Sequence, residues 1–152
     1  MAFIEAQGTT FFWSTNASTL DLLTTVAGSI VGQVVAINGP SGSAGKIDVT
    51  NLGSTAKEFI MGLRDEGDIS LDIIYDAADA GHVTLFADRG TRTQRTWGFK
   101  LGDASSNFVK GHGYCTGFAF TGAVDDAIKA TVTIALTGAV FISTGTTVTQ
   151  AG

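Results

Sequence analysis

Hydrophobic and polar residues alternate with a period of two along much of this chain. Such alternation is the signature of strands that bury one face and leave the other open. The run DISLDIIYDAAD, Asp68 to Asp79, carries Ile69, Leu71, Ile73 and Tyr75 on one face and Asp68, Ser70, Asp72, Ile74 and Asp76 on the other. Ile128 to Ile142 repeats the pattern, with Ile128, Val132, Ile134, Leu136, Val140 and Ile142 opposing Lys129, Thr131, Thr133 and Thr137. Further strands are expected at Thr9–Ser14, Val31–Ile37, Lys46–Asn51, Thr93–Leu101 and Asn107–Thr121. In the last of these, Phe108, Tyr114, Phe118 and Phe120 share one face and Cys115 takes the other.

One segment switches to helical spacing. After Asp76, expected as the cap, Ala78, His82, Leu85 and Phe86 fall on a single stripe, and Gly90 suits the position after the last turn. Asp79 adds negative charge in the first turn, where the helix dipole favours it, while Gly81 lowers helix propensity by about 1 kcal/mol relative to Ala. NGPSGSAGK, Asn38 to Lys46, reads as a turn-rich loop, and residues 52–67 as a long loop whose apolar Phe59, Ile60, Met61 and Leu63 fit neither period. Residues 1–8 and 143–152 read as flexible arms on one domain spanning 1–152. Strands, one helix, then strands define an α+β, mainly β class: a β-sandwich or partly open barrel with one flanking helix.

Composition narrows the function. Of 152 residues, 44% are hydrophobic and 15% charged, which a folded core needs and a disordered chain lacks. The net charge of -5 excludes a protein that grips nucleic acid through clustered Lys and Arg. The single cysteine, Cys115, excludes an internal disulfide. The start, MAFIEAQGTTFFW, has no basic region followed by a long apolar run, so no signal peptide is expected, and no run is long enough to span a membrane.

Motifs that resemble chemistry fail on spacing. GPSGSAGK is not a phosphate loop: Gly39 and Gly45 are six apart rather than five, Ile47 stands where Ser or Thr would bind magnesium, and a strand follows. His112 and Cys115, three apart on a strand, point to opposite faces and form no nucleophile–base pair. Asp125 and Asp126 suit a turn better than a metal site. Arg89, Arg92, Arg95 and Lys100 form a modest basic cluster, either a solvated face or half of a subunit contact with the acidic residues 65–79. No catalytic residues, metal ligands or cofactor site are expected.

KIDVTNLGSTAKEFIMGLRDEGDISLDIIYDAADAGH, Lys46 to His82, resembles the tail tube proteins of long-tailed, siphovirus-type bacteriophages, and the later stretches RTWGFKL and GAVDDAIKATVTIALTGAV resemble that family's ending. The resemblance implies a structural virion protein whose hexameric rings stack into a hollow tail tube, the conduit for DNA. It implies as partners further copies of the chain, a tape measure protein, a tail terminator and distal tail proteins, with genomic DNA passing through and no membrane. In that setting Asp68, Ser70 and Asp72 become candidates for the lumen wall, and Phe59, Ile60, Met61 and Leu63 for contacts between rings. Two alternatives remain: a tube protein like those of type VI secretion, or a monomeric carbohydrate-binding module using Trp13, Trp97 or Tyr114, with Trp13 and Phe12 looking free.

Overall fold

The computed structural model describes residues 8–14, 29–101, 108–144 and 147–150. It contains β1 (Thr10–Ser14), β2 (Ser29–Val31), β3 (Val34–Asn38), β4 (Ser43–Asp48), β5 (Phe59–Asp65), β6 (Asp68–Ile74), α1 (Ala80–Asp88), β7 (Arg95–Lys100), β8 (Phe108–Thr121), β9 (Lys129–Thr144) and β10 (Thr147–Gln150). Seven strands follow the antiparallel order β2-β1-β7-β8-β9-β6-β3, β10 joins β9 as the eighth, and β4 and β5 form a separate two-stranded ribbon.

The sheet is an open, strongly curled barrel, and the reason lies in one connection. Only Gly32 and Gln33 link β2 to β3, the two ends of the strand order. Three Cα steps reach about 11 Å at most, whereas six inter-strand gaps in a flat sheet would span about 29 Å. The sheet must therefore curl until its ends meet, although no ladder joins β2 to β3 among the described residues. Gln33 makes this corner with φ 57°, and its carbonyl accepts from the Ile74 amide at 3.0 Å.

Curling encloses one core. Phe11 and Trp13 from β1 meet Ile69, Leu71 and Ile73 from β6, Val132 and Ile134 from β9, and Leu85 from α1. The alternation read in β6 is observed: Ile69, Leu71 and Ile73 are buried, Asp68 is exposed, and Ser70, Asp72 and Ile74 are half-buried on the opposite face.

Helix α1 covers the corner. Asp79, not Asp76, is its cap, accepting from the amides of Gly81 and His82. The other Asp79 oxygen accepts from the Gly32 amide at 3.0 Å, so the residue that can both start the helix and hold the corner takes the role. Asp76 instead closes a local turn by accepting from the Ala78 amide at 2.9 Å. His82, fully buried, accepts the Asp76 amide proton at Nδ1 and donates from Nε2 to the Gly32 carbonyl at 2.6 Å. Gly81 is required by packing: a Cβ there would lie 2.5 Å from the Ile30 carbonyl oxygen. The buried stripe is Gly81, His82, Leu85 and Asp88, while Ala78 and Phe86 stay exposed.

Several expectations change. Phe12 and Trp13 are buried, as is Trp97, so none is free to stack on a sugar. Trp13 Nε1 donates to Asp88 at 2.8 Å, and Arg95 makes a two-point ion pair with the same carboxylate, which takes Arg95 out of the basic surface cluster. In β8 the register slips between Cys115 and Gly117. The extra residue, Thr116, brings Cys115 and Phe118 onto the same core face and moves Tyr114 to the opposite one. The expected loop 52–67 is in part strand β5, paired with β4, because Phe59–Asp65 finds a partner in the turn-rich segment that begins β4 at Ser43. The expected arm 143–152 is in part β9 and in part β10, which folds back with Thr147 opposite Thr144. Residues 1–7 lie outside the described residues.

Candidate functional site

Two surfaces stand out. The first is the outer face of β3, β6, β9 and β8. The ladder registers place Ala36, Asp72, Thr131 and Ala119 in one row and Asn38, Ser70, Thr133 and Gly117 in the next. A third row runs Asp68, Ala135, Tyr114. All but Tyr114 are small, the only charges are the carboxylates of Asp68 and Asp72, and no Lys or Arg occurs in these rows. Thr131 Oγ1 donates to Asp72 at 3.2 Å, and Thr116 Oγ1 donates to the Thr133 carbonyl at 3.2 Å. Lys129, at one end of the face, is 3.3 Å from Asp126. The three candidates Asp68, Ser70 and Asp72 thus lie together on a smooth, low, acidic surface.

The second surface is the β4–β5 ribbon. It pairs Asp48 with Phe59, Ile47 with Ile60 and Lys46 with Met61. Phe59, Ile60 and Met61 are more than half exposed and Leu63 is 97% exposed. A lone two-stranded hairpin is marginal in water, and this one gains little from burial. Its order is local. Lys46 Nζ sits 4.6 Å from the centre of the Phe59 ring. Hydrogen bonds from Thr50 hold the Asp48 carboxyl below the usual carboxylate range. The tip is closed by Asn51, Ser54 and Glu58, with Ser54 Oγ donating to Glu58 at 2.7 Å. At the base, Arg64 pairs with Glu66 at 2.7 Å. The four candidates Phe59, Ile60, Met61 and Leu63 are brought together, and Ile47, Val49 and Leu52 join them. Ile47 and Val49 were missed because their apolar character reads as a strand's buried side until the partner strand is known to have nothing behind it, and Leu52 because it stood at the start of the expected loop 52–67.

Elsewhere the chemistry is sparse. An open hollow of about 470 Å³ is lined by Gly90, Thr91, Arg92, Tyr114, Cys115 and Thr116. Its thiol is buried, which pushes the Cys115 pKa up to about 11. His112 meets Thr96, not Cys115, and its own pKa is lowered by burial. Among the described residues no group of three or more His, Cys, Asp or Glu could hold a metal.

A family model for the lambda-like phage tail tube matches residues 2–108. The chain belongs to that family. This tail tube protein is a structural component of the virion tail. No curated protein matches the sequence. Its fold is similar to the SPP1 tail tube, at 11% identity over 93% of this chain and 80% of that one, with a TM-score of 0.68. It is also similar to the tail of the empty GTA particle, which has C6 symmetry, at 20% identity, 92% and 97% coverage and a TM-score of 0.64. A third likeness is to the sheath/tube terminator of the PVC extracellular contractile injection system, at 9% identity, 94% and 98% coverage and a TM-score of 0.69. The stretch GAVDDAIKATVTIALTGAV lies beyond the matched residues and forms the β8–β9 turn and β9 of the same sheet. No described helix is long and apolar enough to cross a membrane.

Proposed function

We propose that this tail tube protein assembles into hexameric rings that stack into a hollow tube, with the β3–β6–β9–β8 face as its bore. The observation that carries this reading is the pattern of the three central rows on that face: small residues apart from Tyr114, two carboxylates, and no base, with Lys129 confined to the next row at the end of the face. DNA presents one negative charge per about 1.7 Å of axis, and Lys or Arg on the wall would hold it through counterion release. Asp68 and Asp72 act in the opposite sense, repelling phosphate over about 8–10 Å at physiological salt. DNA then travels in a layer of water and ions without specific binding. Neither catalysis nor a cofactor enters. A tape measure protein inside the tube, a terminator at one end and distal tail proteins at the other complete the assembly.

The ribbon bridges stacked rings in this reading, because Phe59, Ile60, Met61 and Leu63 stay more than half exposed. A density map of the assembled tube tests both assignments: Asp68, Ser70 and Asp72 should line the bore, and the ribbon should cross a ring boundary. Those side chains on the outer wall would end the bore assignment. Phe59→Ser combined with Leu63→Ser should give soluble protein with an unchanged thermal transition and no tubes; normal tubes would end the ribbon assignment.

A further inference from the structure

Exposed apolar side chains on this molecule are not scattered. Among the described residues, fifteen large hydrophobics are exposed, and seven of them lie on the ribbon and its tip between Ile47 and Leu63. Five more, Val83, Phe86, Phe120, Val124 and Ile128, form a second group. Phe86 and Phe120 approach at 5.9 Å between ring centres, and each also contacts Phe118. Tyr75 packs edge-on against Phe120 at 5.0 Å, and its amide donates to the Ile128 carbonyl. Val83 lies one turn before Phe86 on α1, and Val124 is in the turn between β8 and β9, 93% exposed.

The two groups occupy opposite ends of β6. The ribbon leaves the sheet between Asn38, the last residue of β3, and Asp68, the first of β6. The aromatic group gathers where β6 ends at Ile74, β8 ends at Thr121 and β9 begins at Lys129. Two unlike apolar surfaces at opposite ends of one protomer suit a head-to-tail contact, the kind that propagates where its rotation does not close into a ring. A self-matching patch would instead stop at a dimer.

We infer that the Phe86–Phe120–Val124–Ile128 surface is the receptor for the β4–β5 ribbon of a second copy of this chain in the adjacent ring. The occupant is a second copy because the ribbon is the one other concentrated apolar surface among the described residues and sits at the complementary end. This rests on the inter-ring role of the ribbon and adds its partner surface. Aromatic side chains with about two-fifths to half of their area open, as Phe86 and Phe120 have, are enriched at such contacts.

The test uses two positions so exposed that folding does not depend on them, Leu63→Asp on the ribbon and Val124→Asp on the receptor. Each variant alone should reduce sedimentable polymer at least tenfold, with the thermal midpoint unchanged. Mixed in equal amounts, they should form particles of doubled mass and no longer ones, since one intact ribbon then meets one intact receptor. Normal elongation by Leu63→Asp would overturn the inter-ring ribbon and this inference with it. Normal elongation by Val124→Asp with Leu63→Asp blocked would overturn the receptor alone. Two blocked variants that stay unpaired on mixing would show that the surfaces do not mate with each other, which also overturns it.

Discussion

The Thr131 hydroxyl donates to the Asp72 carboxylate across the β6–β9 pair, with 3.2 Å between the oxygens. An aspartate in a strand ordinarily competes with the backbone for hydrogen bonds. Here a cross-strand threonine satisfies it and keeps the charge on the face.

Asp68→Lys with Asp72→Lys should leave the fold intact: Asp68 is exposed, where changes cost about 0.5 kcal/mol or less, and losing the Thr131–Asp72 hydrogen bond costs about 1 kcal/mol. In particles that still assemble tails, DNA ejection should slow, and raised salt should restore it as the new lysines are screened. Ejection that is unchanged at low salt would remove these residues from the bore.

Asp88 joins three elements, accepting from Trp13 Nε1 on β1 and from Arg95 on β7 while it ends α1. It is 6% exposed. Asp88→Ala leaves the indole N–H without this acceptor and takes away Arg95's ion pair, a loss of about 3 kcal/mol by analogy with broken buried pairs. Chemical denaturation should show that loss, and a variant within 0.5 kcal/mol of the parent would mean that the sheet holds β1 without it.

Gly81→Ala should destabilise although alanine is the better helix former. Propensity predicts a gain of about 1 kcal/mol. The added Cβ meets the Ile30 carbonyl at 2.5 Å and the Val31 Cα at 2.9 Å, both backbone atoms that cannot step aside. Overpacking of this kind costs about 1–3 kcal/mol, so the thermal midpoint should fall by a few degrees. A rise would show that α1 can lift from β2.

Cys115 should resist alkylation in the native state. Burial pushes its pKa up to about 11, so at pH 8 very little thiolate is present. Because the folded protein favours the neutral thiol, Cys115 supports stability fully below its unfolded pKa near 9 and withdraws that support as pH rises towards 11. Iodoacetamide at pH 8 should label the unfolded chain at least tenfold faster; equal rates would place the thiol at the surface.

The sequence alone determined what depends on neighbours along the chain. The alternation of β6 and β9 was legible, since period two follows from the strand backbone itself, and so was the helix after Tyr75. The acidic character of Asp68 and Asp72 could be read with it. Tertiary structure decided whatever depends on a distant partner. Thr116 bulges because β9 stands beside it, and this moves Tyr114 out of the core. Asp79 displaces Asp76 as the cap because Gly32, forty-seven residues earlier, offers it a second amide. Trp13 looked free near the chain start, yet curling of the sheet carries Asp88 to its indole. Ile47 and Val49 on the ribbon and the aromatic group around Phe120 read in sequence like any core positions, whereas Phe59, Ile60, Met61 and Leu63 already fitted neither period. Only three-dimensional packing shows them uncovered, because burial is a property of what lies opposite a side chain and not of the side chain.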